Sequence, residues 1–119
     1  MNATSRQTNA NYLDIDALCD EAEAAGLAWA DAKAAADALE ETRKSVLATT
    51  MVTHLEDGMA VSKAETLALA DEAYMDFVRR MVSARKAADR ARVRYDILRT
   101  RIELLRTNAS TERAAMNLR

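Results

Sequence analysis

Apolar residues recur along this chain in steps of three and four, with one interruption. In the second half, Leu67, Ala70, Tyr74, Phe77, Met81, Ala84, Ala88, Ala91, Tyr95, Leu98, Ile102, Leu105 and Ala109 keep that alternation throughout. Such spacing places them on one face of a helix wound as a coiled coil. It predicts one long helix over 62–108, opened by a capping box in which Ser62 and Glu65 each satisfy the other's backbone N–H. The first half carries a matching stripe: Ile15, Leu18, Ala22, Ala25, Trp29, Ala32, Ala36 and Leu39. Arg43 takes the next position in register, and Val46 resumes the pattern.

Between the two stripes, Thr49, Thr50, Val52 and Thr53 thin the helix-forming character, and Glu56-Asp57-Gly58 is the one turn signal. The simplest outcome is all-α: an antiparallel hairpin of two long helices, hinged near Gly58, in a domain spanning 11–119. Residues 1–10 are polar and aperiodic and read as a flexible arm, with Asn9 or Asn11 capping the first helix. Asn108-Ala109-Ser110-Thr111 loosens the pattern and predicts a short terminal helix from Glu112 to Leu118. Folding about residue 59 sets Trp29 near Ala88, where its ring fills space left by small residues, so Trp29 reads as a core or interface anchor. Gly26 marks either a close approach of another helix or a tolerated accident.

Composition strengthens the helical reading. The 119 residues include no proline, two glycines and half apolar residues, chiefly alanine. Alanine-rich helices bury little area each, so part of the stability is expected from self-association. A second apolar line, Val82, Val93, Ile97 and Leu104, runs down the long helix away from the seam. Those four and Trp29 are the expected oligomer interface. The single cysteine, Cys19, reads as a small buried hydrophobe in a reducing host cytoplasm. No apolar run is long enough to span a membrane.

Charge then divides the chain. Residues 1–60 hold 4 basic and 11 acidic side chains, and residues 61–119 hold 13 and 8, so a net −2 conceals −7 and +5. From Arg79 to Arg106 ten basic residues face only Asp89, Asp96 and Glu103. With Leu67 at position a, Arg80, Arg85, Arg92, Arg94, Arg99, Arg101 and Arg106 fall at e or g, beside the seam. Two readings follow. These arginines pair with acids of the first helix such as Asp31, Asp37, Glu40 and Glu41, or they neutralise the phosphates of a nucleic acid. Arginine outnumbers lysine, which favours forked contacts to carboxylate or phosphate alike.

Catalytic and metal signatures are lacking. His54 has no second histidine or cysteine at ligand spacing, and no phosphate-cradling glycine loop or nucleophile elbow occurs. No cofactor, metal or enzymatic activity is expected. His54, at the end of the first helix, reads as a cap or polar contact there.

One family carries a similar arrangement. Ser62-Lys63-Ala64-Glu65-Thr66-Leu67-Ala68-Leu69-Ala70-Asp71 resembles the segment that opens the long C-terminal helix of the UvsY-type recombination mediators of T-even phages. The run from Asp96 to Arg106 is similar to that family's aspartate, basic and aliphatic pattern, as is the ending from Arg106 to Ala115 with Glu112. The first helix with its single tryptophan matches in layout, so the resemblance covers about residues 25–115. It implies a ring-forming, non-enzymatic protein that binds single-stranded DNA, displaces the single-strand-binding protein and loads the strand-exchange recombinase. The family's lysine–arginine DNA-contact motif lies late in the helix before the turn. Here that region reads Val46-Leu47-Ala48-Thr49-Thr50-Met51, and the nearest basic pair, Arg43-Lys44, lies about one turn earlier. The candidate nucleic-acid contacts are Arg43, Lys44, His54, Lys63, Arg92 and Arg99. The competing expectation is a coiled-coil structural or assembly protein of a phage, whose charge asymmetry serves self-assembly.

Overall fold

The computed structural model describes the backbone of residues 3–118 and the side chains of residues 15–118. The helical backbone begins at Ala3, so most of the expected arm over 1–10 is helical and Asn9 and Asn11 lie inside the first helix instead of capping its start. The architecture is all-α, with α1 (Ala3–Glu56), α2 (Val61–Leu69) and α3 (Glu72–Asn117). The two long helices form the expected hairpin, and the short helix stands between them instead of after them.

The predicted stripes are the faces that pack. Every α1 stripe residue from Ile15 to Leu39 is buried or half-buried, and so is each second-half stripe residue except Ala70. Six of the ten buried apolar residues are alanine, and no large side chain is fully enclosed among the described residues. The core is therefore thin.

The chain forms two compact units, Ala30–Asp89 and Met1–Trp29 with Arg90–Arg119. In the second of these, Ala22, Ala25, Leu98 and Ile102 form the core, with Leu18, Cys19 and Tyr95 packed on it. Trp29 stacks on Tyr95, ring centroids 5.7 Å apart and tilted by 31°. Its aromatic partner thus lies two turns beyond Ala88 along α3. Gly26 makes room for that pair: a Cβ there would come within 3.2 Å of Tyr95 Cε2. The close-approach reading of Gly26 holds, with an aromatic ring as what approaches.

The unit Ala30–Asp89 contains the turn. α1 continues through its threonines to Glu56, with Thr49 and Thr50 donating their hydroxyls to the carbonyls of Ser45 and Val46 at 2.8 and 2.9 Å. Gly58 takes φ +86°, the left-handed conformation expected after a helix end, and its N–H reaches the Leu55 carbonyl at 2.9 Å. The capping box does not form. α2 starts at Val61 behind Ala60, without a side-chain cap, so Ser62 is already helical and its carbonyl accepts from Thr66 Oγ1 at 3.0 Å.

The predicted single helix over 62–108 breaks at Ala70-Asp71. Asp71 caps α3 by accepting the Ala73 N–H at 2.9 Å, which favours a new helix over continuation of the old one. At the other end α3 runs unbroken through 108–111, so no separate terminal helix begins at Glu112. Thr107 and Thr111 donate to the carbonyls of Glu103 and Thr107, at 2.9 and 3.0 Å, and are held within the helix.

Candidate nucleic-acid interface

The basic residues of α3 fall into three environments. Arg85 alone reaches α1 among the described residues. Its Nε donates to Glu40 Oε1 at 2.9 Å, and its Nη2 lies 2.7 Å from Asp37 Oδ1 and 2.9 Å from Glu40 Oε2. Hydrogen bonds to Glu40 and then Asp37 raise the Arg85 pKa further, while Arg85 and then Lys33 hold the Asp37 carboxyl below its ordinary range. For this arginine the expectation of pairing with first-helix acids is met.

A second set pairs only within α3. Arg79 bonds Asp76, Arg92 Nε lies 3.8 Å from Asp96, and Arg99 Nη2 lies 3.9 Å from Glu103. The last two arginines are 64 and 57% exposed, so these long contacts leave most of each guanidinium in water. Arg99 also lies over the Tyr95 ring, 5.7 Å from its centroid, and Arg80 over Phe77 at 5.8 Å. A third set, Arg80, Lys86, Arg90, Arg94, Arg101, Arg106 and Arg113, is exposed and forms no ion pair with another described residue.

Arg85, Arg92, Arg99 and Arg106 recur every seven residues along one flank of the seam. The ladder's first member is occupied by acids, and the others are open to solvent. Arg43 and Lys44 are exposed and likewise unpaired among the described residues. Arg43 was expected to sit inside the stripe. It keeps the register of the stripe, yet its guanidinium remains in water and no buried charge results. Lys63 is exposed on α2.

His54 behaves differently from the other five. Its Nε2 is buried, lacks a hydrogen-bond partner among the described residues and lies 4.0 Å from Asp71 Oδ2. It sits at the end of the first helix as expected, but the separation from Asp71 is too long for a hydrogen bond. Arg43, Lys44, His54 and Lys63 lie in the unit Ala30–Asp89, and Arg92 and Arg99 in the other. Asp71 was missed as a structural residue, although an acidic pair, Asp71-Glu72, after a helical run is a helix-start signal.

The apolar line remains uncovered in the protomer. Val82, Val93, Ile97 and Leu104 are 59, 56, 48 and 59% exposed. Trp29 is half-buried against Tyr95 within its own protomer. Among the described residues no helix is long and apolar enough to cross a membrane. Comparisons with protein-family models, with curated proteins and with solved structures find no match.

The Arg85 cluster carries its own expected result. Arg85→Ala lowers the melting temperature at neutral pH, and the difference from wild type narrows in acid. The sign follows from Asp37, whose folded pKa is depressed. Its stabilising contribution is present above the unfolded value near 4 and fades as pH falls through the lower folded value. Melting scans of both proteins from neutral pH into acid check this. A difference that grows as pH falls would contradict it.

Proposed function

We propose that this chain is a recombination mediator of the UvsY type. It binds single-stranded DNA, acts as a homo-oligomer and loads a strand-exchange recombinase in place of the single-strand-binding protein. The observation that supports this reading is the disposition of the basic residues. If the arginines beside the seam served only to hold the hairpin together, they would meet acids of α1, and among the described residues only Arg85 does. Arg92 and Arg99 keep their guanidinium groups largely in water, and Arg43 and Lys44 are unpaired among the described residues. Exposed arginines held on a rigid helix suit phosphates, and nothing in their arrangement suits base readout.

The competing reading is a coiled-coil assembly protein. The exposed line Val82, Val93, Ile97 and Leu104 favours it, because such a line asks for a covering helix whether or not DNA binds.

The test is titration of a labelled single-stranded oligonucleotide of mixed sequence at several salt concentrations. Binding is expected to weaken by roughly 0.7 log units per log of salt for each phosphate contacted, with little sequence preference and lower affinity for duplex. Absence of binding at about 50 mM salt, where the counterion term is strong, leaves the assembly reading.

A further inference from the structure

In the unit Met1–Trp29 with Arg90–Arg119, α1 and α3 each bury one face against the other and leave the opposite face in water. On α3 the outward face carries Arg90, Val93, Ile97, Arg101 and Leu104. The pairs Arg90/Arg101 and Val93/Leu104 repeat at eleven residues, which is three full turns, so the row runs straight along the helix. The apolar members are 56, 48 and 59% exposed, and the two arginines pair with no other described residue.

On α1 the outward face carries Asp16, Asp20, Glu23 and Leu27, at steps of four, three and four. All three carboxylates are exposed without an ion pair among the described residues, and Leu27 is 62% exposed. Ala24 lies beside them and leaves the surface low. One side of this helix pair is apolar, with Arg90 and Arg101 along one edge and Asp89 and Asp96 along the other. The other side is anionic around a single leucine.

We propose that these faces are the two halves of one interface between copies of the chain. The outward face of α3 in one protomer seats on the outward face of α1 in the next. Val93, Ile97 and Leu104 cover Leu27 and Ala24, and Arg90 and Arg101 meet Asp16, Asp20 and Glu23. The halves differ and lie on opposite sides of the helix pair, so the contact is head to tail. Each added protomer presents a free copy of both faces, and the assembly closes into a ring or extends. Antiparallel pairing of the α3 face with its own copy is disfavoured, because Arg90 and Arg101 would meet cations. The neighbouring acids Asp96 and Glu103 face Arg92 and Arg99 on the other flank. This interface does not depend on the DNA-binding reading, since every measurement below is made without nucleic acid.

The test is charge reversal read by light scattering at micromolar protein. Asp20→Arg with Glu23→Arg makes both faces cationic, and Arg90→Glu with Arg101→Glu makes both anionic. Each variant alone is expected to run at the protomer mass of 13.1 kDa with wild-type helicity. Mixing the two in equal amounts is expected to restore assembly above the protomer mass, because alternating copies join opposite charges at every junction, and an even-numbered ring returns to the wild-type mass. A wild-type monomer overturns the proposal, as does an acid-face variant that assembles normally or a mixture that stays at protomer mass. Salt supplies a reading free of substitutions. Wild-type mass is expected to fall as salt rises toward about 1 M, where screening acts within roughly 3 Å. A mass that holds or rises with salt marks a purely apolar contact and overturns the charge pairing.

Discussion

Leu98→Ala is expected to destabilise the chain by about 2–5 kcal/mol, a large share of the roughly 5–15 kcal/mol that holds a typical domain folded. Leu98 is 4% exposed and packs among Ala22, Ala25 and Ile102. Two of those neighbours are alanines, with no side chain able to swing into the space a shortened residue leaves. The cavity therefore persists, which places the loss toward the upper end of that range. Leu104 is the control. It has the same side chain on the same helix but is 59% exposed, so Leu104→Ala is expected to change protomer stability by only about 0.5 kcal/mol. Urea titration over a series of protein concentrations, with the m-value tracked and the dilute limit compared, separates the two, because the interface contribution of Leu104 falls with concentration and the core contribution of Leu98 does not. Equal losses from the two substitutions would mean that Leu98 does not form the seam.

The seam was legible because its signal is long. A three-four alternation sustained from Leu67 to Ala109 leaves no other regular structure, and Gly58 left one place to turn. Local chemistry at the helix ends was less legible. Ser62 and Glu65 have the spacing of a capping box, but a box needs the helix to begin at Ser62, and α2 begins at Val61. Asp71 competes for the same stretch and starts α3, a contest that residue types alone do not decide. The polar stretch near 108–111 misled, because the Thr107 and Thr111 hydroxyls are satisfied by carbonyls four residues back and do not compete for the helix's own N–H groups. Of the candidate site, the sequence showed which residues are cationic but not which were already engaged. Arg85 and Arg92 occupy equivalent heptad positions. Only Arg85 has Asp37 and Glu40 within reach, and only the fold distinguishes the two arginines.

That difference sets the second large effect. Arg43→Ala with Lys44→Ala is expected to weaken single-stranded DNA binding and to lower the salt slope by about 1.4, two contacts at roughly 0.7 each. At about 50 mM salt, relative to 1 M, the counterion term alone makes that roughly sixty-five-fold. Arg43 holds a stripe position yet is exposed and unpaired among the described residues, so the change removes no buried pair. Helicity, melting temperature and oligomer mass should stay as in wild type. Arg92→Ala with Arg99→Ala is expected to act in the same way from α3, because their contacts to Asp96 and Glu103 are long and mostly in water. Arg85→Ala supplies the contrast. Its guanidinium is held by Asp37 and Glu40, so its loss should lower the melting temperature and leave the salt slope alone. Measuring slope, melting and mass on the three variants separates phosphate contact from hairpin support. If both double variants bind DNA as tightly as wild type, the exposed arginines serve assembly and the mediator reading fails.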